Sequence, residues 1–198
     1  MKYEIINKIE KDYLKQIVKI HYDSLSYRSF ITNFGESFLF QLYISILKKK
    51  LGFLVCASED NQVIGFILAC IDSSKIFPLV FKKFYIFLPL IIGGILKKPN
   101  LILNLLQTFL YKNKAITNIK AELLVIAVKE NYRSKGLGGS LLKLFEDRFR
   151  ELGIERYKVT VHKDMLASNN FYLNHSMKLL KTFNLYGVTW NVYVKDLV

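Results

Sequence analysis

With 198 residues, 52% of them apolar and 14% aromatic, the chain is long enough for one domain with a substantial core and too rich in core-forming side chains to be disordered. Its 29 basic and 16 acidic side chains leave a formal net charge of +13, which favours an acidic partner: nucleic acid, an anionic membrane surface or a phosphorylated cofactor. Many lysines fall where helices end, and no compact basic tract interleaved with aromatics marks a nucleic-acid stripe, so nucleic acid is not an expected partner.

The first residues, "MKYEIINKIEKDYLK", lack the apolar core of a signal peptide. Cys56 and Cys70 each lie in an apolar, strand-like run without metal-ligand spacing, and His21, His162 and His175 are scattered. A cytoplasmic protein with reduced, buried thiols and no metal site is expected.

"YEII" (3–6) reads as a short strand, and Ile9, Tyr13, Ile17 and Ile20 recur at helical spacing to about Tyr22. The stretch "DSLSYRSFITNFGES" (23–37) reads as a loop. A second helix presents Phe38, Leu39, Leu42 and Ile46 on one face and closes on Lys48, Lys49 and Lys50, cations suited to the negative end of a helix dipole. "GFLVCAS" and "VIGFILACI" are strands joined by the hairpin-like "EDNQ".

Residues 73–118 stand apart. "FYIFLPLIIGGIL" (84–96) is apolar throughout and fenced by Lys82, Lys83, Lys97 and Lys98. It falls short of the roughly 20 residues a spanning helix needs, and Pro89, Gly93 and Gly94 weaken it further. In "LILNLLQTFLYK" (101–112), Leu101, Ile102, Leu105, Leu106, Phe109 and Leu110 share one face and Asn104, Gln107 and Thr108 the other. Such a segment either meets an anionic membrane as an interfacial element or covers the sheet or a second subunit in a homodimer.

After residue 120, "ELLVIAV" is a buried-strand pattern in which period-two alternation puts Glu122, Leu124, Ile126 and Val128 on one face. Leu137, Leu141, Leu144, Phe145 and Leu152 make an amphipathic helix that Gly153 stops. "RYKVTV" is a strand, "LASNNFYLNH" a short helix, and "KLLKTFNLY" with "TWNVYVKDL" an antiparallel pair around Gly187. The whole is one α/β domain (1–198) with a mixed sheet and an apolar helical insertion at about 73–118.

The junction "NYRSKGLGGSLL" carries the chemistry. Glycines between a strand and a helix let backbone approach a ligand closely, and the amides of Leu137, Gly138, Gly139 and Ser140 are first-turn donors at the positive end of a dipole. Arg133 and Lys135 add charge at the rim, so the loop suits a phosphate or pyrophosphate. A P-loop needs Gly-Lys-Ser/Thr, whereas Lys135 precedes these glycines. A dinucleotide fingerprint counted from Gly136 would end on Leu141.

"LLVIAVKENYRSKGLGGSLL" resembles the acyl-CoA-binding motif of the GNAT superfamily of acyl-CoA-dependent N-acyltransferases, Arg/Gln-x-x-Gly-x-Gly/Ala, with Arg133, Gly136 and Gly138 at its fixed positions. "NNFYLNHSMKLL" is similar to the family's Phe-Tyr-x-x-x-Gly-Phe segment; Phe171 and Tyr172 are kept, and Ser176 and Met177 replace the last pair. The resemblance implies a mixed, mostly antiparallel central sheet flanked by helices. It implies acetyl-CoA as co-substrate, its pantetheine bonded by backbone near Ile126, Ala127 and Val128. The pyrophosphate would lie on Arg133, Ser134, Lys135, Gly136, Leu137, Gly138, Gly139 and Ser140.

An asparagine often found six residues before the family's Phe-Tyr pair is Met165 here, and Asn169, on the same helix face, is expected to take over its contact with the pantetheine arm. The implied reaction is transfer of an acetyl group to an amine of a small molecule or amino sugar by direct attack. An alkylamine, with a pKa of roughly 10, must lose a proton before it attacks. By resemblance Glu122 is the base and Tyr172 the acid that protonates the departing thiolate, with His162 a weaker base candidate and His21 structural. The acceptor is expected near Ser24, Ser26, Tyr27 and Arg28. The alternative is a non-catalytic acyl-CoA-binding module that docks on a membrane or protein through 73–118.

Overall fold

Seven strands hydrogen-bond into one sheet in the computed structural model, which describes residues 1–6, 10–25, 29–112 and 117–197. They are β1 (Lys2–Ile6), β2 (Gly52–Glu59), β3 (Gln62–Cys70), β4 (Glu122–Val128), β5 (Arg156–His162), β6 (Lys178–Leu185) and β7 (Val188–Asp196). Their order across the sheet is β1-β2-β3-β4-β5-β7-β6, antiparallel at every step except β4 to β5. The helices are α1 (Lys11–Leu25), α2 (Glu36–Lys48), α3 (Ile76–Lys82), α4 (Phe84–Lys97), α5 (Leu101–Lys112), α6 (Leu137–Glu151) and α7 (Leu166–Asn174). This is the mixed, mostly antiparallel sheet between helices that the sequence leads one to expect.

The middle strands read as unbroken apolar runs because both of their faces are covered. Leu54, Cys56, Phe66 and Leu68 pack with Leu14 and Ile17 of α1 and Leu39 and Ile46 of α2. Phe53, Val55, Ile64 and Ile67 pack on the other side with Leu141, Phe145 and Phe149 of α6. Each such fully buried side chain contributes on the order of 1.5–3 kcal/mol. The expected loop at 23–37 is shorter than its composition suggests. Helix α1 runs on to Leu25, and a 3₁₀ turn at Ile31–Phe34 is held by the Thr32 hydroxyl donating to Ser29 O (2.5 Å) and by Phe34 stacking on Phe30 and Phe38.

β4 departs from simple alternation. Its pairing with β3 runs Leu68↔Val125 and then Ala69↔Leu123, leaving Leu124 unopposed in a bulge. Val125 and Ala127 therefore join the α1/α2 side while Leu123, Ile126 and Val128 join the α6 side. The expected common face of Glu122, Leu124, Ile126 and Val128 does not exist: the bulge turns Ile126 and Val128 to the opposite side from Leu124. Past the bulge β4 and β5 separate, since their parallel pairing is confined to Glu122↔Lys158 and Leu123↔Val159. A wedge opens between them, toward the end of β4 where α6 begins.

Helices α3, α4 and α5 fill most of the stretch between β3 and β4. Asp72 accepts from the Ser74 amide (3.1 Å) to start a 3₁₀ turn at Ser73–Lys75 that leads into α3. Helix α4 lays Phe87 against Phe38 (ring centroids 5.2 Å apart), and its Gly94 meets Phe34 so closely that a Cβ would stand 2.7 Å from the ring. Lys83 donates to Ser45 Oγ (3.0 Å) and Lys98 to Asn33 Oδ1 (2.8 Å). Gln107 of α5 accepts the Tyr186 amide at 2.8 Å, tying this stretch to the β6–β7 hairpin. The expected apolar face of α5 is split, because Leu101 is buried and Leu105 packs inward while Ile102 is exposed. The side chains of Leu106, Phe109 and Leu110 lie outside the described residues.

Candidate active site

The turn after β4 is built from backbone. A 3₁₀ turn at Glu130–Tyr132 leads to Ser134 at φ 58° and Gly136 at φ 78°, and α6 starts at Leu137. That left-handed conformation is costly for a residue with a Cβ, which accounts for glycine at 136. No side chain caps this helix, and the first intrahelical bond at its mouth runs from the Ser140 amide to Gly136 O (3.1 Å). Among the described residues the amides of Leu137, Gly138 and Gly139 have no backbone acceptor. Ser140 is thus a correction: its amide is consumed by the helix, and its hydroxyl also turns back to Gly136 O (3.4 Å).

Helix α7 forms the opposite wall. A Cβ on Gly138 would lie 3.2 Å from the Phe171 ring, and one on Gly139 would lie 3.1 Å from His175 Nε2. His175 Nδ1 bonds Phe171 O at 2.8 Å, and its ring packs on Phe171 with centroids 4.3 Å apart. Ala167, Ser168, Phe171, Tyr172 and His175 border the same groove as Ile126, Val128 and the loop. Ser168 and His175 were not singled out from the sequence; their place about one turn before and one turn after Tyr172, on α7 and at its C-cap, is the signal that could have found them.

The edge of β4 that faces this groove is specific. The Lys129 amide bonds Ile64 O (2.9 Å), so alternation commits the backbone of Ala127 to β3 and leaves the groups of Ile126 and Val128 facing the wedge. Ala127 borders the groove with Ile126 and Val128, but its backbone is paired with β3, whereas theirs turns to the wedge. Arg133 donates from Nε to Val128 O (2.9 Å) and reaches Ser24 Oγ from Nη2 (3.4 Å), so its charge bridges the loop to α1. Lys135 stands over the Tyr132 ring, 5.6 Å from its centroid, and the Tyr132 hydroxyl donates to Glu59 Oε2 at 2.8 Å. Glu59, 73 positions before Tyr132, anchors the loop to the β2–β3 hairpin by a contact that no local pattern signals.

Between β4 and β5 the wedge holds a cavity of about 120 Å³ bordered by Leu25, Ser29, Thr160, His162, Tyr172 and Trp190 among others. Tyr172 borders both this cavity and the loop groove. It is 3% exposed, no described residue hydrogen-bonds its hydroxyl, and burial pushes its phenol well above the usual range. The site thus holds a neutral O–H with a free donor where groove and wedge meet.

Glu122 sits at the closed end of the wedge. Its carboxylate lies 3.5 Å from Lys158 Nζ and accepts from Thr160 Oγ1 at 3.4 Å, and Thr160 borders the cavity while Glu122 itself does not. His162 borders the cavity, with Nδ1 accepting the Asp164 amide (3.2 Å) and its ring edge-on to Trp190. An imidazole that accepts at Nδ1 carries its proton on Nε2 in the neutral form, so its other nitrogen is a donor. Asn169 is a further correction. Its amide nitrogen contacts His162 O, Lys163 O and Met165 O at 2.8–3.1 Å, and its oxygen accepts from Asn191 and from the Tyr193 hydroxyl, both at 2.8 Å. Nothing is left for a ligand, and Asn169 instead locks the β5–α7 turn to β7.

His21 is buried on α1 and bonded to the Tyr43 hydroxyl (2.8 Å), and desolvation lowers its pKa to about 4, which fits the structural role expected of it. Ser24 lies beside Arg133; Ser26, Tyr27 and Arg28 fall outside the described residues.

The comparisons agree with this geometry. Among curated proteins none matches the sequence. Solved structures align over nearly the full chain at low identity. The PaiA N-acetyltransferase of Thermoplasma acidophilum, in complex with coenzyme A, is 17% identical with a TM-score of 0.63, covering 99% of each chain. An N-acetyltransferase from Staphylococcus aureus Mu50 is 13% identical with a TM-score of 0.62, covering 100% of each chain. The ribosomal-protein-alanine N-acetyltransferase of Brucella melitensis is 12% identical with a TM-score of 0.62, covering 99% of each. At such identities the likeness is one of fold. The family model for acetyltransferase (GNAT) matches residues 14–176, a span from α1 through α7 that includes the uncapped turn, the wedge and Tyr172, and the chain belongs to that family.

Proposed function

We propose that the protein transfers an acetyl group from acetyl-CoA to an amine of a small molecule or amino sugar by direct attack. The observation that carries this reading is the continuity of one groove. It begins at three unpaired first-turn amides (Leu137, Gly138 and Gly139), passes Tyr172 and enters the β4–β5 wedge. The donor set fits a diphosphate: oriented N–H groups at a positive helix end, with Lys135 and Arg133 adjoining. The backbone groups of Ile126 that face the wedge fit the amide-bearing arm of pantetheine, and the Val128 amide, unlike its carbonyl, which Arg133 occupies, is a donor for the thioester oxygen as negative charge develops on it. Coenzyme A bound to the Thermoplasma protein supports the same use of this fold here.

In the reaction the acceptor nitrogen attacks the thioester carbonyl, a C–N bond forms and the C–S bond breaks. The proton lost by the amine goes to Glu122 through water beside Thr160, and the Tyr172 hydroxyl protonates the departing thiolate. His162 is less suited to be the base because its backbone contact sets the free nitrogen as a donor. The small wedge cavity favours a short acyl group.

Free thiol release from acetyl-CoA, followed across a panel of amino sugars, nucleotide-linked amino sugars, polyamines and peptides, tests this reading. An amino sugar should raise release well above the acceptor-free rate, and Glu122→Gln should lower it far more than His162→Gln. Turnover with a peptide N-terminus alone would move the acceptor to the class named for the Brucella protein. Tight CoA binding without turnover on any amine would favour the non-catalytic module.

A further inference from the structure

The inward face of α4 is buried, and its outward face is not covered by any part of the described protein. Phe81, Phe84, Tyr85, Leu88, Ile92 and Leu96 are all exposed, from 47% at Ile92 to 79% at Leu96. From Phe84 onward they recur at helical spacing along one side of α4, and Ile102 and Leu103 extend the patch onto α5. Contiguous apolar surface of this kind on a folded protein marks an interaction site. The charge around it identifies the partner. Residues 73–118 contain seven lysines (Lys75, Lys82, Lys83, Lys97, Lys98, Lys112 and Lys114) and no aspartate or glutamate. Lys82, the exposed last residue of α3, and Lys97, the exposed last residue of α4, bracket the apolar stripe.

We propose that α3, α4 and the start of α5 form a docking surface for an anionic lipid membrane, with α4 lying in the plane of the interface. The aromatic and aliphatic side chains would enter the headgroup–acyl boundary while the lysines meet lipid phosphates. A second copy of the chain fits the same face poorly. Two such stripes brought together would set lysine against lysine, with no acidic side chain of the segment to neutralise them.

A spanning role does not fit either. Among the described residues no single helix is long and apolar enough to cross a membrane, and the pair Ser73–Lys82 and Phe84–Lys97 qualifies together only across a 91° bend. The packing of Phe87 and Gly94 onto Phe38 and Phe34 also holds α4 flat against the domain.

Co-sedimentation of the full chain with vesicles of phosphatidylcholine containing about one-third phosphatidylserine, against pure phosphatidylcholine, is the test. Low-salt binding to the anionic vesicles alone is expected. Replacing Phe84, Leu88 and Leu96 together by serine should reduce it by at least about a hundredfold. Lys82→Gln and Lys97→Gln should each reduce it about fivefold, with CoA affinity and thermal midpoint unchanged in every variant. The proposal is overturned if the wild type stays in the supernatant at low salt, or if the serine variant binds as the wild type does. It is also overturned if light scattering shows a dimer that the serine variant abolishes. Because vesicle binding is read without substrate, its failure is separate from failure of the acetyltransferase reading.

Discussion

At the scale of single residues, burial sets the protonation of two groups, Tyr172 in the site and His21 outside it. Tyr172 is protonated at neutral pH as any phenol is, and burial, which disfavours the phenolate, raises its pKa further, so the hydroxyl is present as a donor to the departing thiolate. Tyr172→Phe should lower kcat roughly a hundredfold, within the range of lost general acid catalysis, while calorimetry finds CoA affinity within about twofold of wild type. His21 tests burial in the opposite sense. Its folded pKa of about 4 lies below its ordinary 6.5, so between those values the unfolded chain binds more protons and stability falls as pH falls. Denaturant titrations should show a loss of about 2 kcal/mol from this group between about pH 7 and pH 5. His21→Gln should flatten that slope. The positions of Arg133, Gly136 and Gly138 were legible in the sequence because a strand–glycine–helix turn is local chemistry. The role of Asn169 was not, since its partners Asn191 and Tyr193 lie 22 and 24 positions away on another strand.

At the scale of elements, two junctions decide what the site can bind. The first is the approach of α6 to α7, so close that a Cβ on Gly138 would stand 3.2 Å from the Phe171 ring. Gly138→Val should fill the groove at the diphosphate and weaken CoA by at least about tenfold, a loss of roughly 1.4 kcal/mol. The thermal midpoint should fall as well, because a Cβ at this position already stands 3.2 Å from the Phe171 ring and the larger side chain must push α7 away. The second junction is the bulge at Leu124, which breaks the β4 alternation and precedes the separation from β5. Periodicity alone could not show it, because a bulge is a property of the pairing with β3 and every residue of "ELLVIAV" except the first suits either face. The stretch between β3 and β4 was legible as helical and apolar. Its division into an inward face with Phe87 and Gly94 and an outward face with Leu88 and Leu96 required the packing on α2, since "FYIFLPLIIGGIL" is apolar all round.

At the scale of the whole molecule, the sheet order, the groove and helices α3, α4 and α5 combine into one arrangement. The α1/α2 side carries those three helices, the α6/α7 side carries the uncapped turn, and the wedge opens between β4 and β5. The excess of 13 positive charges should also draw a polyanionic substrate to the protein. Stopped-flow association with CoA should therefore slow several-fold when salt rises from about 0.01 M to 0.15 M, as the screening length contracts. A crystal structure with coenzyme A tests the central claim most directly. The account predicts the diphosphate oxygens within hydrogen-bonding distance of the Leu137, Gly138 and Gly139 amides and the sulfur in the wedge beside Tyr172. Coenzyme A bound elsewhere, with that turn making no contact to its phosphates, would contradict it.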